Sequence, residues 1–260
     1  MLTSYLNVTR QLLQNPPAPT TLYSDANLTS FINIARGQVA GEGECIRAIG
    51  SVTCTVGTRL YNFSALSFLT SGVQGAINIR RIQYVVPAGP GSPQALKWVN
   101  SKSFEWFDYY RLNNPVPTSG APTEWTQYAQ GSAGTGTITG AGSGALNSGS
   151  FFIDPLPDLA YVLGCDCTCY PIALTSDSDA EAIPYLWTDA VPYYAAYMAL
   201  MSAQASARIE QAQRLFQLYE QFVSRARNMA NPSQNNFAYS QSADPTRGNR
   251  LGISQQAGAR

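Results

Sequence analysis

Apolar residues recur every three or four positions near both ends of the chain, which is the spacing of a helix with one buried face. A first helix is predicted over residues 4–14, and it ends before Pro16 because proline disfavours helix in the residue that precedes it. A second helix is predicted from Ser24 or Asp25, since either side chain can cap free backbone amides. Its apolar face consists of Leu28, Phe31, Ile32, Ala35 and Val39.

Two further helices are predicted towards the carboxyl end. One begins after Thr188 or Asp189 and carries Pro192 in its first turn, where proline is tolerated. The other covers residues 207–229 and is amphipathic. Its apolar stripe is formed by Ile209, Leu215, Phe216, Tyr219, Phe222 and Val223. We expect these helices and the two at the amino end to form one bundle.

Between the helices the hydrophobic period changes to two, which is typical of β-strands. Val52, Cys54 and Val56 alternate with polar residues, and a turn at Gly57 predicts a hairpin with residues 60–63. Further strands are predicted at residues 77–86, 124–129, 151–153, 160–169 and 172–174. The aromatic residues of 103–112 predict a short helix that lies on this sheet.

The order of these elements predicts an α+β fold. It consists of a helical bundle made from the N- and C-terminal helices, an inserted β-sandwich-like domain and an extended C-terminal arm. The expected boundaries are 1–50 for the N-terminal helices, 51–187 for the β-rich domain with a glycine-rich loop at 131–149, 188–230 for the C-terminal helices, and 231–260 for the arm.

The glycine-rich loop and the arm contain too few large apolar side chains to offset their own ordering entropy. We therefore expect both to become ordered only against another protein, as in an assembly. The residues expected to anchor the arm on a partner are Phe237, Tyr239, Arg247, Arg250, Leu251, Ile253 and Arg260.

The composition also indicates an assembly component. Only 12% of the residues are charged while 45% are hydrophobic, so much of the surface is uncharged and suited to packing against protein. The net charge of zero argues against nucleic-acid binding through bulk electrostatics, which needs clustered Lys and Arg. Pairs such as Lys97 and Trp98 could stack nucleotides, but they are too sparse to favour that function over core packing.

Charge is nevertheless unevenly distributed along the chain. Residues 151–190 carry seven acids and no base, whereas seven arginines and three acids lie between Arg208 and Arg260. Such blocks can be two solvated faces, or they can help neighbouring subunits find their register. The acids are Asp154, Asp158, Asp166, Asp177, Asp179, Glu181 and Asp189.

Little in the sequence indicates catalysis. The chain has no histidine, which excludes Ser-His-Asp and Cys-His arrangements. Asp154 and Asp158 could form the acid and base of a glycosidase, but the prolines between them indicate a rigid bend whose aspartates accept backbone hydrogen bonds. We therefore expect no catalytic residues, no cofactor and no enzymatic function.

Three cysteines stand at alternate positions, Cys165, Cys167 and Cys169, which would share one face of a strand. They are interpreted as buried thiols. A metal site would need a fourth ligand, and Cys45 or Cys54 could supply one only if the fold brought it near. No metal is expected.

Two stretches resemble adaptor-like structural proteins of short-tailed bacteriophages. One is Phe-Phe-Ile-Asp-Pro-Leu-Pro-Asp from Phe151, followed by Ile-Pro-Tyr-Leu-Trp-Thr-Asp-Ala-Val-Pro-Tyr-Tyr-Ala-Ala-Tyr from Ile183. The other is Asn-Pro-Pro-Ala-Pro from Asn15 with Leu-Tyr-Ser-Asp from Leu22 and Ile-Asn-Ile-Ala-Arg-Gly-Gln from Ile32. The likeness covers most of the chain.

This resemblance implies a ring, usually of twelve copies, between the portal protein and the tail nozzle protein. It implies that the helical bundle surrounds a channel for viral DNA, which passes without sequence-specific binding, and that the arm, here residues 231–260, enters clefts of the portal. The acid-rich segment could then face the channel and keep DNA from adhering.

Other functions stay open at this stage. A tail nozzle or stopper subunit would differ in whether it binds the portal directly. A carboxylate-dependent cell-wall hydrolase would depend on Asp154 and Asp158, and a carbohydrate-binding β-module is disfavoured by the long helices. Residues 1–14 have no secretory signal and no apolar stretch approaches the roughly 20 residues that span a bilayer, so we expect no membrane association. The expected location is the head–tail interface of the virion, after assembly in the host cytoplasm.

Overall fold

Helices form at both ends of the chain, where the hydrophobic spacing predicts them. The computed structural model describes residues 1–14, 22–86, 95–113, 118–129, 149–202 and 208–230. The Oγ atom of Ser24 accepts a hydrogen bond from the backbone N–H of Asn27 at 3.2 Å and so caps the second helix, as predicted. The four long helices are α1 (Leu2–Leu13), α2 (Asp25–Gly43), α5 (Ala190–Ser202) and α6 (Ile209–Ala230).

Two short α-helices are also present among the described residues. The aromatic helix predicted at 103–112 is present as α3 (Phe104–Phe107) followed directly by a π-helical segment, Asp108–Leu112. We call residues 104–112 the aromatic segment. A single turn, α4 (Tyr185–Thr188), precedes α5 and was not predicted.

The strands are β1 (Arg47–Thr53), β2 (Leu60–Asn62), β3 (Ser67–Phe68), β4 (Val73–Val86), β5 (Ala95–Ser101), β6 (Glu124–Ala129), β7 (Ser150–Asp154) and β8 (Val162–Pro171). They join in one sheet in the order β2-β7-β6-β5-β4-β8-β1-β3. Neighbours are antiparallel except β5 and β6, which are parallel. The α+β class is confirmed. The sandwich-like arrangement is not, because these strands are hydrogen-bonded into a single sheet.

Two local predictions about the strands are wrong. Residues 60–63 do not form a hairpin with β1, because β1 lies between β8 and β3, and Leu60 pairs with Phe152 of β7 instead. Residues 172–174 are not a strand: the backbone N–H of Leu174 donates to the side-chain Oδ1 of Asn33 at 2.8 Å rather than to a neighbouring strand. Strand β5 was not predicted.

Helices and sheet share one hydrophobic core. Ile32 of α2, Val191 of α5 and Tyr219 of α6 belong to the same buried cluster as Leu163 and Cys165 of β8. A smaller cluster, which includes Leu28, Ala196 and Leu215, lies between the helices alone. The helices from both ends therefore pack together as expected, but a bundle distinct from the β-domain is not confirmed, since α2 packs directly on the sheet. We call the side of the sheet that these helices cover its inner face.

Candidate functional site

The residues predicted to bind a partner lie outside the described part of the chain. This holds for all seven anchors of the arm: Phe237, Tyr239, Arg247, Arg250, Leu251, Ile253 and Arg260. Nearly all of the glycine-rich loop, residues 131–148, lies outside it as well. The predicted role of both segments therefore stays a prediction.

The carboxylate considered for catalysis is held in a cluster of charged side chains. Asp154 is almost completely buried, and its two oxygens lie 2.9 Å from Nη2 of Arg59 and 3.2 Å from Nε of Arg111. Arg111 also pairs with Glu124 at 2.9 Å, and Glu124 lies 3.9 Å from Lys102. Burial raises the pKa of Asp154, and both guanidinium groups oppose that change. The two arginines thus counteract the effect of burial on the Asp154 carboxylate.

Asp158 has a different partner. Its carboxylate accepts a hydrogen bond from the hydroxyl of Tyr161 at 2.7 Å. Asp154 therefore pairs with two arginines, whereas Asp158 is hydrogen-bonded to a tyrosine of the core. This arrangement favours a structural role for both and gives no support to the hydrolase alternative.

The three alternating cysteines are core thiols. Cys165, Cys167 and Cys169 are fully buried on the inner face of β8, and burial raises the pKa of both Cys165 and Cys169 to about 12. Protonated thiols are poor metal ligands and poor nucleophiles. Within the described residues no group of three or more Cys, Asp or Glu side chains is arranged to hold a metal ion.

Most acids of the acid-rich segment are bonded within the subunit, although Asp158, Asp177 and Asp189 are exposed. Six of its seven acids have partners within the subunit, and only Asp189 has no hydrogen bond or ion pair among the described residues. Asp166 pairs with Arg47, and Asp179 accepts from the backbone N–H of Thr175 and Ser176. Asp158, Asp179 and Asp189 have no cationic partner among the described residues, so the suggestion that this segment faces a DNA channel stays a prediction.

A second cluster of charged residues ties α2 to the loop after β8. Arg36 is completely buried and forms a bidentate contact with Glu181, with N···O distances of 2.7–3.2 Å. Its Nη1 donates to the carbonyl of Ile172 at 2.7 Å. Asn33 donates to the carbonyl of Leu174 at 2.9 Å. Two residues of the Ile-Asn-Ile-Ala-Arg-Gly-Gln stretch thus join parts of the chain that lie more than 130 residues apart.

The sequence contains one local signal for this cluster, which the apolar spacing of α2 alone does not reveal. Arg36 falls among the buried positions of α2, between Ala35 and Val39. A charged residue at a core position of a helix needs a buried partner of opposite charge. The identity of that partner, Glu181, depends on tertiary structure and has no local signal.

The opposite side of the sheet, its outer face, is covered by the aromatic segment over β6 and β7. Phe104 contacts Tyr128 and Phe152 with ring centroids 4.7 and 6.1 Å apart, and Phe107 is fully buried against Phe152 at 5.9 Å. On the far side of the segment, Trp106 is exposed in part. It lies under Lys102 at 4.7 Å and Arg111 at 5.3 Å.

Much of the remaining outer face, formed by β5, β4, β8 and β1, is exposed, although Thr168 on β8 is buried. Five of its exposed residues are large and apolar. We call this surface the outer sheet patch, and it consists of Ile49, Val85, Leu96, Trp98 and Val162. An apolar sheet surface of this kind is typical of a protein–protein contact.

Sequence reasoning missed most of this patch because it missed β5. In that strand Lys97 separates Leu96 and Trp98, but Val99 is apolar as well, so the alternation is weak. Exposure on the outer face follows only from the pairing of Val85 with Leu96 and of Gln83 with Trp98. Among the described residues, no helix has the length and the hydrophobicity needed to cross a membrane.

The structure thus presents no catalytic arrangement among its described residues and one apolar surface that suits a protein partner. Comparison with protein families agrees with this picture, because residues 3–245 match the SU10 adaptor protein family. No curated protein matches the chain. Since the family match covers nearly the whole length, the resemblance noted from the sequence is confirmed. The chain belongs to the SU10 adaptor protein family and is a structural head–tail adaptor protein of a bacteriophage.

Proposed function

We propose that this adaptor forms a ring of twelve copies that joins the portal protein to the tail nozzle protein. The observation that carries the proposal is the family match over residues 3–245. The low content of charged residues and the uncovered outer sheet patch support it, since both fit a subunit that is surrounded by protein. In this function the ring forms in the host cytoplasm, becomes part of the virion and lets DNA pass without reading its sequence.

The arm, residues 231–260, is proposed to bind the portal. It begins directly after α6, whose last residue is Ala230, and up to about 3.3 Å of extended chain per residue gives it a reach of many tens of ångströms. The family match ends at residue 245, so it includes Phe237 and Tyr239 and leaves out Arg247, Arg250, Leu251, Ile253 and Arg260. The proposed anchors therefore fall into two groups that can be tested separately.

The test compares three chains for binding to purified portal rings: the full chain, a chain ending at residue 245 and a chain ending at residue 230. The proposal expects the full chain to bind and the chain ending at 230 to lose binding, because the anchors are gone while the described fold is complete. Retention of binding by the chain ending at 230 would contradict the proposed role of the arm. Binding of the full chain to nozzle protein alone would instead favour the nozzle or stopper function.

Point variants refine this result. Phe237→Ala with Tyr239→Ala removes the two aromatic anchors inside the family match, and Leu251→Ala with Ile253→Ala removes the two apolar anchors beyond it. Aromatic anchors at the centre of an interface typically contribute most of its energy. We therefore expect the first pair to weaken portal binding more than the second, measured by co-sedimentation with portal rings.

A further inference from the structure

The outer sheet patch is continuous across four strands. Val85 of β4 lies opposite Leu96 of β5, and Gln83 lies opposite Trp98 one pair further along. Gln83 also faces Gly164 of β8, whose missing side chain keeps the centre of the patch shallow. Val162 on β8 and Ile49 on β1 extend the apolar surface. Trp98 is 58% exposed, and an exposed tryptophan on such a surface is a typical anchor of a protein–protein interface.

The unpaired charge at the border of this patch is basic. Arg81 is exposed and has no acidic partner among the described residues, and its guanidinium lies 5.8 Å from the centre of the Trp98 ring. Arg47 and Asp166, which lie on the same face, neutralise each other. The patch thus combines exposed apolar side chains with an unpaired positive charge.

The aromatic segment has the complementary character. Tyr109 is 72% exposed and Tyr110 is 54% exposed, with ring centroids 4.8 Å apart, so both rings project from the π-helical segment. Glu105 and Asp108 are exposed beside them and have no basic partner within the described part of the chain. This surface combines exposed aromatic side chains with an unpaired negative charge.

We propose that the outer sheet patch of one copy binds the aromatic segment of a second copy. Each surface supplies what the other lacks, since tyrosine rings can cover Trp98 and its apolar neighbours while Glu105 and Asp108 approach Arg81. The occupant is a second copy because both halves of the contact are present on this one chain. Such a contact is heterologous: a bonded pair keeps one free patch on one copy and one free aromatic segment on the other, so the contact can repeat, and it forms a ring when the rotation between copies closes. The inference rests on the proposed ring and assigns the surfaces that hold it together.

Charge reversal on either side tests the contact. The variant Arg81→Glu replaces the unpaired positive charge of the patch with a negative one, and Glu105→Lys/Asp108→Lys makes the aromatic segment basic. Each variant alone then places like charges against each other in every contact, and we expect roughly a 100-fold loss of assembly affinity. Arg214→Glu is the matched control, because Arg214 is exposed on α6, is unpaired among the described residues and lies away from both surfaces.

Mixing the two reversed variants separates charge pairing from misfolding. In the mixture an acidic patch can meet a basic aromatic segment, and the unchanged surfaces of the two variants also remain opposite in charge. We therefore expect equimolar mixing, or both reversals in one chain, to restore assembly close to that of the unaltered chain. Native mass spectrometry of the rings, with and without portal protein present, measures the result.

The outcomes distinguish this inference from the function on which it rests. If the unaltered chain forms rings and either reversed variant forms them equally well, the inference is overturned while the ring stands. If the variants fail to assemble but the mixture does not recover, the pairing of these two surfaces is overturned. If the unaltered chain forms no ring even on the portal, the proposed function fails together with the inference.

Discussion

The two faces of the sheet use apolar residues in different ways. On the inner face Leu163, Cys165 and Cys167 are buried under the helices, and the charge of Arg36 behind them is neutralised by Glu181. On the outer face Val85 and Trp98 are exposed, and the aromatic segment covers only the part over β6 and β7. The inner face is buried under the helices, whereas the outer face is covered by the aromatic segment over β6 and β7 and largely exposed elsewhere. We infer from this difference that the covered surfaces stabilise the fold, and we propose that the uncovered part of the outer face serves assembly.

The largest effect on stability is expected from the inner side. Replacing Arg36 by Met leaves the carboxylate of Glu181, whose side chain is only 9% exposed, without its partner. Breaking a buried ion pair in this way costs about 4 kcal/mol of unfolding free energy. Chemical denaturation measures it, and the double variant Arg36→Met/Glu181→Gln should lose less than Arg36→Met alone. An equal loss in both would show that the ion pair is not the cause.

The next largest loss of stability is expected from the covered part of the outer face. Phe107 is fully buried between the aromatic segment and the sheet, so Phe107→Ala leaves a cavity and costs about 3 kcal/mol. Tyr109→Ala, two residues away and largely exposed, is the control and should change stability by less than about 0.5 kcal/mol. Thermal unfolding of both variants shows whether packing of the aromatic segment on the sheet contributes to stability.

The charged cluster beneath the aromatic segment should have an intermediate effect. Asp154→Asn removes the negative charge that Arg59 and Arg111 share, and hydrogen bonds to charged groups contribute about 2 kcal/mol when they are buried. Asp158→Asn keeps an acceptor for the Tyr161 hydroxyl and should cost less. If both variants fold with unchanged stability, the cluster has a role other than holding the fold.

Substitutions in the exposed part of the outer face should change the measured stability very little. Trp98→Ser removes an exposed ring, and we expect less than about 0.5 kcal/mol of change in unfolding free energy. The same substitution should weaken ring assembly by roughly 10-fold or more, as expected for an interface anchor. A large loss of stability in the isolated chain would contradict the division between the two faces.

The smallest expected effect is on the dependence of stability on acidic pH. Hydrogen bonds from the side chain and backbone of Thr3 lower the pKa of Asp177 to about 2, and bonds from Thr175 and Ser176 lower the pKa of Asp179 to about 2. A lowered pKa in the folded state means that the stabilisation is complete above about pH 4, the value for an unfolded aspartate, and is lost as the pH falls towards 2. Asp177→Asn should flatten the decline of the melting temperature over this range. Asp189→Asn should leave it unchanged, since Asp189 has no hydrogen bond or ion pair among the described residues.

How far the sequence predicts this molecule depends on the distance between interacting residues. The capped start of α2 at Ser24 and the alternation of Cys165, Cys167 and Cys169 are local patterns, and both predictions are confirmed. The pairing of Leu60 with Phe152 and the contact of Arg36 with Glu181 join residues roughly 90 or more positions apart, and no local pattern selects such partners. The outer sheet patch was missed for the same reason, since it exists only through the order of the strands.

That order has a consequence for synthesis. β8 lies between β4 and β1, and both of these strands leave the ribosome before it. A nascent chain that has not yet extended past Pro171 lacks the strand that joins β4 to β1, so β1 and β4 have not yet met. The outer sheet patch is therefore incomplete in unfinished polypeptides, and with the proposed contact, fragments released early would lack a complete surface for a neighbouring copy.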